Sequence, residues 1–139
     1  MRMIYPIFAM FLLSAFVLVR LFLARVRAAR QGEVDVNYFR LYQGAVEPRR
    51  SAQWARHFAN LLEAPVLFYA VCLAASAAHR ESLLLVALAW LYVAVRIAHA
   101  WVHLTFNGLR WRIRTYMGGW VVLAATWGAL LLAPVQGIG

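Results

Sequence analysis

Arg56, Asn60 and Glu63 recur at i, i+4 and i+7 along an otherwise apolar stretch, Arg56-His57-Phe58-Ala59-Asn60-Leu61-Leu62-Glu63-Ala64-Pro65-Val66-Leu67-Phe68-Tyr69. On an α-helix these positions form one stripe. A second polar stripe follows at Arg96, His99 and His103, spaced i, i+3 and i+7. Arginine offers a planar fork to carboxylates, and glutamate receives an ammonium group. Histidine donates or accepts a proton near neutrality. Such a set suits a small anionic ligand. It is also costly to carry: a charge at the centre of a bilayer costs on the order of 3 kcal/mol on insertion scales. A chain that keeps these residues in apolar surroundings is building a polar site.

The elements that must position them are helices crossing a membrane. The 139 residues are 65% hydrophobic and only 14% charged, with a mean hydropathy of +0.68. A soluble domain is roughly half apolar and about a quarter charged. Four apolar runs are readable: Ile4 to Leu23, continuing into Ala24-Arg25-Val26-Arg27; Trp54 to Ala78; Ser82 to Phe106; and Thr115 to Ala133, closed by Pro134. Each is near the ~20 residues that span a bilayer as a helix. None shows the period-2 alternation of a membrane strand. The first run is too long for a signal-peptide core, and Arg20 interrupts it, so it reads as an uncleaved span. The expected architecture is all-α: a single four-span transmembrane domain over residues 1–139.

The basic residues set its orientation. All 14 are arginine, a bias of GC-rich genomes that points to a bacterium and its inner membrane. The connection after the first run, with Arg25, Arg27, Arg30, Arg40, Arg49 and Arg50, and the one after the third, with Arg110, Arg112 and Arg114, hold most of them. The short second connection holds only Arg80. The positive-inside rule places the two rich loops in the cytoplasm and both termini outside. The net charge of +9 is therefore a topology signal, and nucleic acid is not an expected partner. Tyr38, Phe39, Leu41 and Tyr42 imply that part of the first loop packs back on the bundle or the headgroups.

Spans two and three form an antiparallel hairpin about Arg80. Counting from their cytoplasmic ends at ~1.5 Å per residue, Arg56 lies level with His103, Asn60 with His99 and Glu63 with Arg96. Glu63–Arg96 is the deepest pair and is expected to be a structural lock, within one subunit or across an interface between subunits. Pro65 removes one backbone hydrogen bond beside it, and either kinks the helix or is simply tolerated. His99 and His103 share a face that His57 could approach, but no cysteine or carboxylate completes a zinc set, so no metal is expected. Cys72 reads as a small buried apolar residue. The tryptophans read as interface anchors or packing, and Gly118-Gly119 as a close helix contact.

Arg-x-x-x-Asn-x-x-Glu at Arg56, Asn60 and Glu63, followed by Pro65, resembles the second span of the MAPEG family, the membrane-associated proteins of eicosanoid and glutathione metabolism. Arg96-Ile97-Ala98-His99 resembles the family's third-span Arg-x-x-His. Ala24-Arg25-Val26-Arg27-Ala28 resembles the basic exit of its first helix. The resemblance covers nearly the whole chain. It implies a homotrimer that binds glutathione as co-substrate between subunits, near the cytoplasmic face. Arg27, Arg56, Asn60, Glu63, Arg96 and His99 inherit the binding role, and Arg112 that of activating the thiol. It further implies a transferase or peroxidase-like reaction on a small apolar electrophile, with membrane lipid as the surroundings. Transferase members often carry Tyr seven residues after the third-span Arg. Here that position is His103, which takes the catalytic place beside Arg112. The alternative is a non-catalytic trimer binding lipid or a partner.

The orientation is directly testable. A reporter active only outside the cytoplasm should be active when fused to the C-terminus, and a cytoplasmic C-terminus would contradict the arginine count.

Overall fold

A computed structural model describes residues 2–44 and 46–133. Pro134 and the tail after it, which the sequence places outside the membrane, lie beyond the described residues. Five helices follow one another: α1 (Ile4–Arg30), α2 (Tyr38–Leu41), α3 (Arg49–Ala77), α4 (Leu83–Leu104) and α5 (Leu109–Leu132). Four of them, all but α2, are long and apolar enough to cross a membrane. The chain is an all-α, multi-pass membrane protein, as its composition requires.

The helix ends follow local chemistry. Ser82 caps α4 by accepting from the Leu85 N–H at 3.2 Å. α1 ends where Gly32 adopts φ +71°. The Gly32 N–H then reaches the Ala29 carbonyl, and the Glu33 N–H reaches that of Ala28. This paired closure satisfies carbonyls a helix end leaves open. α3 closes the same way with a non-glycine residue, His79 at φ 52°, through bonds from His79 to Ser76 and from Arg80 to Ala75. α3 runs unbroken through Pro65.

Two helix starts differ from the sequence expectation. α3 begins at Arg49, five residues before Trp54, and α5 begins at Leu109, six before Thr115. Arg110, Arg112 and Arg114 therefore ride on the first two turns of α5 rather than in a loop. Apolar runs mark where a helix enters hydrocarbon. They do not mark where the helix begins, because a polar turn beyond the membrane keeps its backbone bonds in water. Three arginines at a helix N-terminus add to the positive end of the helix dipole, so this end of the bundle is strongly electropositive.

α1 packs chiefly on α3, and α4 chiefly on α5, with α3 in contact with both α4 and α5. The core is a stack of Met10, Val17, Leu61, Phe68, Cys72, Leu85, Ala89 and Leu123. Phe68 stacks on Tyr92 at 4.5 Å between ring centroids. Gly119 is buried on α5, and a Cβ there would meet Tyr92 and Arg96 at ordinary contact distance, so it marks a close α4–α5 approach. Cys72 is buried and free. Large side chains such as Phe8, Phe11, Phe22, Leu84 and Trp101 are exposed, as lipid-facing positions should be.

The ends of the bundle are chemically opposite. At one, Glu81 accepts from the Arg2 backbone N–H at 2.7 Å and from the Ser76 hydroxyl at 2.6 Å. The Ser76 bond above all holds the Glu81 carboxyl down at about 2. At the other, Arg25 pairs with Glu47 at 2.9 Å and lies over the rings of Phe39 and Tyr42. The aromatic α2 segment is thereby folded back on the end of α1, as its composition implied. Arg25 thus has a structural task that the loop count alone did not reveal.

Candidate functional site

α3 and α4 run antiparallel, and the residues that meet confirm the depth counting to within about one turn. The His57 ring of α3 meets that of His103 on α4, with their Nδ1 atoms 3.2 Å apart. The Gln53 side-chain amide donates to the His103 carbonyl. One turn deeper, Arg96 Nη2 donates to the Asn60 side-chain oxygen at 2.9 Å and to the Asn60 carbonyl at 3.2 Å. Arg96 is 1% exposed. Its Nε is buried with no partner in the chain.

The expected lock between Glu63 and Arg96 is not among the contacts of the described residues. Glu63 is exposed, and Asn60 holds the guanidinium in its place. The reason is rotational. The buried stripe of α3 is His57, Leu61, Ala64, Phe68 and Cys72. At 3.6 residues per turn, Asn60, Arg56 and Glu63 lie roughly 80°, 120° and 140° round the helix from its centre. Asn60 stands at the near edge of their stripe and touches α4. Arg56 and Glu63 face outward. Depth counting fixes height along a helix but not rotation about it.

Three histidines form a layer beneath the electropositive end. His57 is 0%, His99 1% and His103 5% exposed. One ring nitrogen from each lies within 4.8 Å of the others. His99 Nδ1 is 2.9 Å from the Thr115 hydroxyl. That hydroxyl has one proton, and its acceptors are the Trp111 and Arg112 carbonyls. In the tautomer with the His99 proton on Nδ1, Thr115 accepts from it while its own proton goes to a carbonyl, and the lone pair is on Nε2. Both His99 Nε2 and His57 Nε2 are buried without a hydrogen-bond partner. Leaving such an atom unsatisfied costs roughly 1–3 kcal/mol.

Above this layer a cavity of about 320 Å³ is lined by Glu47, Arg49, Gln53, Arg56, His103, Asn107 and Arg112. Arg112 Nη1 donates to the Asn107 side chain at 3.1 Å, and Asn107 sits in a left-handed turn at φ 48°. A larger cavity of about 570 Å³ lies between α1, α3 and α4. Its walls are mainly apolar, with Phe16, Ile97, Ala100, Trp101 and Leu104, while Arg20, Arg50 and Thr105 also line it and Gln53 lines both spaces. A third cavity of about 400 Å³, beside α1, holds Arg20, Arg27 and Arg50; Arg20 also lies over the Trp54 ring at 5.3 Å.

The sequence-derived residues thus fall into three groups within one chain. Arg56, His103 and Arg112 share the polar cavity. Asn60, Arg96 and His99 lie in the layer below it. Arg27 and Glu63 stand apart, Arg27 exposed at the end of α1 and Glu63 on the outer face of α3. Gln53, Asn107, Thr115 and the packed position of His57 were not singled out as site residues. Asn107 could have been found, since it lies i+4 from His103 and just before Gly108.

A comparison with protein-family models matches residues 3–132 to the MAPEG family. The chain belongs to the MAPEG family. No curated protein and no solved structure matches it. Members of this family are generally linked to glutathione.

The Asn60–Arg96 contact yields a defined expectation. Asn60→Leu leaves the buried guanidinium only the residue-60 backbone carbonyl and should lower resistance to unfolding in detergent by roughly 1–3 kcal/mol. Arg96→Leu in the same chain should restore most of that loss, because both polar partners are then gone. Glu63→Gln should leave the isolated chain's fold unaffected. Equal losses for Asn60→Leu and the double variant would contradict the pairing.

Proposed function

We propose that this protein is a glutathione-dependent membrane transferase or peroxidase-like enzyme, acting as a homotrimer on small apolar electrophiles. One observation carries the reading: Arg56, His103 and Arg112 line one polar cavity that shares Gln53 with an apolar space open between α1, α3 and α4. A soluble anionic thiol and a lipid-soluble substrate would then meet at one wall. Family membership supports the thiol.

Glutathione has two carboxylates and one ammonium. Arg56 and Arg27 suit the carboxylates as bidentate forks, and Glu63 suits the ammonium. Asn60, Arg96 and His99 form the buried polar layer beneath it. Arg27 and Glu63 do not reach this cavity within one chain. A neighbouring subunit would bring them to it and cover the outward stripe of Arg56 and Glu63, which would be costly against lipid. The trimer is therefore part of the proposal. A thiol is nucleophilic only as thiolate, and a nearby guanidinium lowers its pKa. Arg112 takes that role. The thiolate sulfur forms a bond to the electrophilic carbon, and the leaving group departs with its electron pair. His103 stands where it can donate a hydrogen bond to the sulfur or the leaving group. The arginine-rich end faces the cytoplasm, where the thiol is supplied.

Titrating the purified oligomer with glutathione should show saturable binding that Arg56→Ala weakens about tenfold or more. Arg112→Ala should keep binding but lose the thiolate absorbance and conjugation to a generic electrophile. Absence of saturable binding at millimolar glutathione would remove the enzyme reading and leave a trimer that binds lipid or a partner.

A further inference from the structure

We propose that His57, His99 and His103 form a binding site for a divalent transition-metal ion, with zinc as the best fit. This goes beyond the thiol reading and does not depend on it. It also departs from the expectation drawn from spacing, which saw two histidines on one face and no ligand to complete a set. Packing supplies the third. His57 comes from α3 and meets the α4 pair in one buried layer, with one nitrogen of each ring within 4.8 Å of the others.

The geometry suits an ion. Zinc–imidazole bonds of about 2.0–2.1 Å in a tetrahedron hold their donors about 3.3 Å apart. The His57 and His103 Nδ1 atoms are 3.2 Å apart, which is already that spacing. The His99 nitrogen lies within 4.8 Å of both, so a small shift of its ring completes the set. The donor state suits an ion as well. In the tautomer in which Thr115 accepts from His99 Nδ1–H, the Nε2 lone pair of this 1% exposed residue has no hydrogen-bond partner among the described residues. Ligating histidines usually donate their other ring N–H to an outer acceptor, which fixes tautomer and orientation. Thr115 supplies that second contact.

Three neutral imidazoles leave one tetrahedral position. Zinc sites with three protein ligands keep such a place for water or substrate. His103 lines the polar cavity, so the cavity can supply the fourth ligand. The neighbouring charges favour an anion there. Arg96 lies on the same face of α4 as His99, and Arg56 and Arg112 stand round the cavity, so a dication among them is best matched by hydroxide or another anion. All-imidazole donors fit zinc, copper, iron or nickel better than magnesium or calcium.

The test is titration of the full-length protein with cobalt(II), in detergent, purified through a tag that contains no histidine and without added thiol. About one ion per chain should bind, with the intense visible bands of tetrahedral cobalt, and zinc should displace it. His57→Ala and His99→Ala should each weaken binding about a hundredfold. Thr115→Val, which removes only the outer hydrogen bond, should weaken it roughly tenfold. His79→Ala, in the opposite turn, should change nothing. Absence of cobalt uptake by the wild-type protein, or only the weak bands of octahedral cobalt, would overturn the proposal without reference to any variant. So would unchanged affinity in His57→Ala and His99→Ala chains that elute as the wild type does.

Discussion

The constraint on which this structure turns is a guanidinium buried in the middle of a membrane helix bundle. Arg96 is almost wholly enclosed and meets no carboxylate ion pair among the described residues. Two oxygens of Asn60 receive it. That contact fixes the register of α3 against α4, because a slip of one residue would leave a charge unsolvated in hydrocarbon. Much else follows from the register. His57 is brought level with His103, Gln53 reaches the end of α4, and Gly119 of α5 closes over Tyr92 and the aliphatic stem of Arg96.

The layering of the bundle follows from the same placement. The apolar half, built round Phe68, Tyr92 and Leu123, lies toward the end where Glu81 ties the chain's start to α3. The polar half lies toward the arginine-rich end. There the α5 N-terminus, with Arg110, Arg112 and Arg114, faces the start of α3, with Arg49 and Arg56. Like charges gathered this closely repel. They persist where an anion is bound between them, or where water and headgroups screen them. The polar cavity lies among Arg49, Arg56 and Arg112 and shares a wall with an apolar one, so charged and greasy ligands have adjoining places.

Much of this was legible in the residues. Four spans, the hairpin about Arg80, the two polar stripes and their depths all follow from hydropathy and helical spacing. The back-packing of Tyr38, Phe39 and Tyr42 was visible in their aromatic character, though its agent, the Arg25–Glu47 pair, was not. What spacing could not give was rotation about the helix axis. Arg56, Asn60 and Glu63 do form a stripe, but it lies at the flank of the α3 core face, so Asn60 rather than Glu63 meets Arg96. Nor could spacing bring His57 to His99 and His103, since that depends on how two helices pack. The early start of α5 was hidden because its first turns are polar.

An outward-facing glutamate in a membrane helix is the feature that a single chain leaves unexplained, and the proposed trimer answers it. The most direct measurement is a cryo-electron-microscopy structure of the oligomer purified in the presence of glutathione. The account predicts three subunits, Glu63 of each covered by a neighbour, and thiol density between subunits with its sulfur beside Arg112. A structure in which Glu63 faces lipid, with no ligand among Arg56, His103 and Arg112, would contradict it.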